Sequence, residues 1–176
     1  MDSFIKFRTL CEKWIGNEDI VITIENTDGF RGYERKAMEY LLESPKFDLT
    51  WNIGRSKAIG ETDVPFLMEY SHKLRHFHIH DGITKNKEQP GSNYLALRDG
   101  EIDIKERLLI ANTQNARCRM ETKNHYSLRK ICRIYKSIRK LHNGTVFYLK
   151  HDIQPSPLLC YIKLNECICQ HSYHSV

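Results

Sequence analysis

Along the first 141 residues the apolar positions follow two alternating rhythms, short runs of period two and longer runs near period 3.6. "DIVITIEN" (19–26) is dense in β-branched residues and predicts a strand, with Ile20, Ile22 and Ile24 on one parity and Glu25 on the other. Gly29 and Gly32 punctuate the chain before "YERKAMEYLLES", where Tyr33, Ala37, Tyr40 and Leu41 share a helical face. "KFDLTWNIG" (46–54) predicts a second strand carrying Phe47, Leu49 and Trp51 on one side. A helix follows from Asp63, an N-cap residue type, through Phe66, Leu67 and Tyr70 to Leu74. In the third strand, "LRHFHIHDG" (74–82), His76, His78 and His80 alternate with Phe77 and Ile79, and Asp81 comes directly after. A polar loop over 82–102 leads to a helix capped by Asp103 and carrying Leu108, Leu109 and Ile110. "ARCRMETK" (116–123) is the fourth strand, and a fourth helix runs from Ser127 to about Leu141.

Strands alternating with helices predict an α/β domain with a parallel sheet and right-handed crossovers. Beyond His142 the rhythm stops, so 1–141 reads as one domain and 142–176 as an irregular Cys/His-rich tail. Cys160, Cys167, Cys169, His171 and His174 lie in that tail, but C-x6-C-x-C-x-H-x2-H matches no zinc spacing. Cys11, Cys118 and Cys132 stand apart and read as buried thiols in a reducing compartment.

With 40% hydrophobic and 28% charged residues, a chain of 176 can build one real core. It contains no apolar run of about 18 residues, as a membrane span would need. The charged start "MDSFIKFRTLCEKW" lacks a signal-peptide core and points to the cytoplasm. A net charge of +5 tolerates an anionic ligand, but the Lys and Arg residues are scattered, which argues against a nucleic-acid surface.

Chemistry in parallel α/β domains sits beyond the C-terminal strand ends. Those ends carry Glu25, Asn52, His78 and Glu121, each on the parity opposite the apolar set that should face the helices. Four such side chains at matching depth are how a barrel builds a metal cup, and oxygen donors with one imidazole suit manganese, magnesium or zinc. The plainer reading of each glutamate is a salt-bridge partner for a loop, and the spacing alone leaves both open.

"VITIENTDGF", "LTWNIGRSKA", "LRHFHIHDG", "NYLALRDGEIDI" and "CRMETK", in this order, resemble the second half of the xylose isomerase-like TIM-barrel superfamily. That group holds sugar phosphate isomerases and epimerases, and also the endonuclease IV type of DNA-repair enzyme. The resemblance covers about residues 5–140 and implies four βα units of a (β/α)8 barrel, beginning at the helix before strand five. It implies a divalent metal on Glu25, Asn52, His78 and Glu121, with Glu25 and Glu121 as the proton-shuttling acid and base on a sugar or sugar phosphate. His76 would lie a layer deeper, as a core or supporting imidazole. Substrate contacts are expected from Arg55, His80 and Tyr94, although for His80 and Asp81 at the rim loop capping is equally open.

The departures from the family pattern are specific. Its strand-six motif Asp-x-Gly-His is here "NIGR", with Asn52 for the aspartate and Arg55 for the histidine. Its loop motif His-Leu-x-Leu-Gly-x-Gly is here "YLALRDG", with Tyr94 for the histidine and Arg98 for the first glycine. Arg119 also falls on the inward parity, where a small or apolar residue is expected. Asn52 removes a ligand charge and Arg55 brings a positive one nearby, so metal binding should be weakened or lost. The leading expectation is therefore a truncated, impaired sugar isomerase or epimerase that self-associates or pairs with a separate first half. The alternatives are a non-catalytic interaction half-barrel or a degenerate product. The DNA-repair branch fits least, because Arg55 and Tyr94 replace two histidines that its metal cluster needs.

Overall fold

The computed structural model describes residues 1–27, 30 and 32–121, together with two short strands at 147–149 and 160–162. The fourth helix expected over 127–141, Gly29, Cys132, and Cys167, Cys169, His171 and His174 lie outside the described residues. Helix α1 (Asp2–Ile15) leads into β1 (Ile22–Glu25), α2 (Gly32–Leu42) and β2 (Phe47–Asn52). Two short helices follow, α3 (Ile53–Ala58) and α4 (Val64–Glu69), then a 3-10 turn (Ser71–Lys73) and β3 (Leu74–Ile79). The chain continues through β4 (Asp81–Ile83), β5 (Ser92–Leu95), α5 (Ile104–Thr113), β6 (Arg117–Met120), β7 (Phe147–Leu149) and β8 (Cys160–Ile162).

The sheet order is β1-β2-β3-β6-β7-β8, parallel from β1 to β7 and antiparallel at β8. The chain is thus α/β, with its four expected strands parallel and adjacent in chain order. Strands β7 and β8 come from the stretch that the sequence rhythm left irregular, and they extend the same sheet. Strands β4 and β5 form a separate antiparallel ribbon inside the expected polar loop.

The apolar parity faces the helices. Phe47, Leu49, Trp51, Phe77, Ile79, Cys118 and Met120 are buried, and they belong to one core with Ala37 and Leu41 of α2, Phe66 and Leu67 of α4, and Leu108 and Ala111 of α5. Aromatic contacts stitch this layer, with Trp51 and Phe77 ring centres 5.4 Å apart and Phe30 and Phe66 4.8 Å apart. A register shift between Leu49 and Thr50 pairs Leu49 with Leu74 and Thr50 with His76, leaving Arg75 as the extra residue. That bulge lets Leu74 join the core while His76 joins the opposite face.

Several local expectations need correcting. Ile20 precedes β1 and is 53% exposed, and Tyr33 is 74% exposed, because the buried face of α2 is Ala37, Met38, Leu41 and Leu42. The helix expected from Asp63 to Leu74 stops at Glu69, and Asp63 makes no side-chain cap. Its carboxylate is instead drawn into a buried network with Asn26 and Ser56. Asp103 does cap α5, accepting the Glu106 amide at 3.0 Å.

Candidate functional site

The second parity of the sheet is polar across four strands. Register places Glu25, Thr50, His76 and Arg117 in one cross-strand row, and Asn52, His78 and Arg119 in the next. Glu121, one residue past β6, donates its amide to the Ile79 carbonyl at 3.1 Å and so continues the ladder one row beyond Arg119, its side chain reaching back to His78. The four positions read from the sequence therefore converge. His78 Nδ1 stands 3.4 Å from Glu25 Oε2 and 3.4 Å from Glu121 Oε2, and Asn52 Nδ2 donates to Glu25 Oε1 at 2.7 Å.

Two guanidiniums enter the cluster. Arg55 Nε lies 3.6 Å from Glu25 Oε1, and Arg119 Nε lies 3.5 Å from Glu121 Oε1. The His78 contact, then the Asn52 hydrogen bond and the Arg55 charge, outweigh burial and hold the Glu25 carboxyl down at about 2. His76, edge-on to His78 with ring centres 5.1 Å apart, is pushed down to about 4, chiefly by burial and then by the charges of His78, Arg119 and Arg117. Burial is also the main reason that His80 is lowered to about 4.

Asn52 owes its position to a network that the sequence did not reveal. Its Oδ1 caps α3 by accepting the Arg55 amide at 3.0 Å, which starts a helix where the strand was expected to run on to Gly54. Its own amide donates to Asn26 Oδ1 at 2.6 Å, and its carbonyl accepts from Asn26 Nδ2 at 3.2 Å. Asn26 Nδ2 also reaches Ser56 Oγ at 2.9 Å and Asp63 Oδ2 at 2.5 Å, while Trp51 Nε1 donates to Ser56 Oγ at 2.8 Å. Asn26, Ser56 and Asp63 are all buried. The only sequence trace of this anchor is Asn26 standing directly after the strand-end glutamate.

At the rim, Asp81 is the loop organiser. Its buried carboxylate accepts the amides of Gly82 at 2.9 Å, Arg98 at 2.8 Å and Ile102 at 3.1 Å, pinning the return from β5 to α5. Arg98 takes a left-handed φ of 77° there, and Tyr94 one of 59°. Left-handed φ is costly for a residue with a Cβ and easy for glycine. Tyr94 stacks on His80 with ring centres 4.4 Å apart, and its hydroxyl accepts from Arg55 Nη2 at 3.1 Å. Arg55 and Tyr94, two of the three expected substrate contacts, thus lie linked beside Glu25, whereas His80, the third, is not at the rim but fully buried beneath Tyr94.

The divalent ion that the family resemblance implies can be tested on these donors. Atoms bound to one ion at about 2.0–2.6 Å sit roughly 3–3.5 Å apart, and His78 Nδ1 keeps that spacing to both carboxylates. Charge and orientation oppose the ion. Asn52 spends its oxygen on the Arg55 amide and turns its NH2 toward Glu25, while a guanidinium already neighbours each carboxylate. Two carboxylates and two guanidiniums leave no net negative charge for a hard cation. Among the described residues no group of histidine, cysteine, aspartate or glutamate side chains is placed to hold a metal ion. The residues as they stand do not fit one.

No family model matches the chain, and no curated protein matches it. Among the described residues no helix is long and apolar enough to cross a membrane.

Proposed function

We propose that this sheet belongs to a barrel of the xylose isomerase-like type. Its strand ends bind a sugar or sugar phosphate in a site where side-chain cations have taken over from a metal. The carrying observation is the convergence of Glu25, His78 and Glu121 from three strands, His78 Nδ1 lying 3.4 Å from each carboxylate, with Arg55 and Arg119 paired to them. In this reading Glu25 and Glu121 keep the places of the proton-shuttling pair. The Glu25 carboxyl, held near 2, is a poor base, and without a Lewis acid on the sugar oxygens, proton abstraction beside the carbonyl is slow. The chain then binds its sugar and turns it over weakly or not at all.

The test is calorimetric titration of the chain with D-fructose 6-phosphate, D-fructose and inorganic phosphate, followed by incubation with the sugars in D2O. Binding of a sugar, with little or no deuterium entering at the carbon beside the carbonyl, supports the reading. Absence of binding to both sugars would remove it. Rapid deuterium exchange without added metal would show that the site is an intact, metal-free isomerase.

A second reading, a docking element without sugar chemistry, has one observation in its favour. Strand β1 is an edge of the described sheet, Ile20 and Val21 directly before it are exposed, and so are Phe7, Leu10 and Trp14 of α1.

A further inference from the structure

On β6 two guanidiniums stand two residues apart on the polar face of the sheet, where register puts Arg117 beside His76 and Arg119 beside His78. The rise of a strand separates their Cα atoms by roughly 6.6 Å, within reach of two long side chains closing on one small ion. Neither is buried. Arg117 is exposed, and Arg119 keeps 32% of its side chain open to solvent. After burial and the charge of His78, the charges of Arg119 and then Arg117 push the His76 imidazole down to about 4, so both guanidiniums bear on this face.

Their charge is only partly cancelled. Arg119 meets one carboxylate, with Nε 3.5 Å from Glu121 Oε1, while the other Glu121 oxygen is turned to His78 at 3.4 Å. The two Nη groups of Arg119 have no hydrogen-bond partner among the described residues, and neither is buried. Asp48, on the same parity of β2, is taken up by Lys73 at 3.5 Å and Arg75 at 2.9 Å. With Arg55 set against Glu25 and Arg119 against Glu121, Arg117 is the surplus cation of this face. Glu121 thus engages Arg119 from one edge and leaves unspent the donors with which a guanidinium grips a planar or tetrahedral oxyanion.

We propose that Arg117 and Arg119 form an oxyanion seat on β6, which takes a phosphate or carboxylate group of the ligand while the sugar hydroxyls face the Glu25–His78–Glu121 cluster. This rests on the sugar-binding reading above and commits it to an anionic sugar. A neutral sugar gains nothing at β6.

The test is calorimetric titration of the full chain with D-fructose 6-phosphate, D-glucuronate, D-fructose and inorganic phosphate. At least one anionic sugar should bind roughly tenfold or more tightly than D-fructose, as charge-assisted hydrogen bonds to arginine give. The tighter of the two names the group as phosphate or carboxylate. Arg119→Gln should remove most of that preference, and Arg119→Lys, which keeps the charge without the fork, should recover part of it. Arg117→Gln, at an exposed position, should lower the preference as well, and it carries the test if Arg119→Gln fails to fold. Lys6→Gln on α1 makes the same change in net charge and should leave the preference intact. Equal weakening by Lys6→Gln would reduce the attraction to the general charge of the chain and overturn the seat. If D-fructose binds as tightly as both anionic sugars and neither arginine variant alters this, the seat fails and the sugar reading stands. If inorganic phosphate alone binds, and Arg119→Gln weakens it, the seat stands and the sugar reading fails. If nothing binds, both fail.

Discussion

Asn52 gives its NH2 to Glu25 at 2.7 Å and its oxygen to the start of α3. An aspartate at 52 would still cap the helix but would set a second carboxylate against Glu25. That pair repels unless a cation sits between them.

This relationship yields the first prediction. The native chain should bind manganese weakly or not at all in calorimetric titration. Asn52→Asp with Arg55→His should bind it, because ligand charge increases and a nearby positive charge goes. The same double variant should be less stable than the native chain without metal and should recover when manganese is added. Equal manganese affinity in the two proteins would show that Asn52 is an adequate ligand. A folded double variant that still binds nothing would show that Asn52 and Arg55 are not what keeps the ion out.

Acid should destabilise the fold in two windows. His76 and His80 are held at about 4 against an ordinary 6.5, so below 6.5 the unfolded chain takes up protons that the folded chain refuses. Their contribution is fully present above 6.5 and is lost as pH falls to about 4. Glu25, lowered from 4.5 to about 2, adds a second loss as pH falls between those values. Urea unfolding at stepped pH should show stability declining from 6.5 downward, and His76→Gln should flatten the upper window. Constant stability between pH 7 and 4 would contradict the burial of both imidazoles.

Arg98 holds a φ of 77° within the loop pinned by Asp81. Replacing it by glycine removes a left-handed penalty of roughly 1–2 kcal/mol, offset in part by the greater freedom of glycine in the unfolded chain. Arg98→Gly should therefore raise stability by up to about 1 kcal/mol, read from urea midpoints at unchanged slope. A clear loss of stability would mean that the Arg98 side chain makes contacts worth more than the strain.

The exposed apolar residues of α1, Trp14 at 80% exposure foremost, and Ile20 and Val21 before edge strand β1 should drive association. Size-exclusion chromatography with light scattering should give a mass above the 20.8 kDa of one chain. Trp14→Lys with Val21→Lys should shift it downward. A sharp monomer peak from the native chain would show that this edge is covered in another way.

The sequence by itself determined the layer structure and the identity of the strand-end residues. Period-two runs in β2, β3 and β6 were enough to say that Phe47, Leu49, Trp51, Phe77, Ile79, Cys118 and Met120 turn to the helices, and that Glu25, Asn52 and His78 turn the other way. Pleat geometry enforces this wherever a strand is regular. Only the tertiary structure decided what those residues do to one another. Asn52 is a helix cap and a donor to Glu25, Asp63 is a buried hydrogen-bond acceptor rather than a cap, and Asp81 gathers the amide of Gly82 and two more from a loop that returns 17 and 21 residues later. The proton position in His80 depends on Tyr94, 14 residues away, and on a glycine in α3 that leaves room for the ring. Periodicity reports which side of an element a residue occupies. The direction of a hydrogen bond, the charge balance of a cluster and the tautomer of an imidazole depend on groups brought together from distant parts of the chain, and no local pattern encodes that meeting.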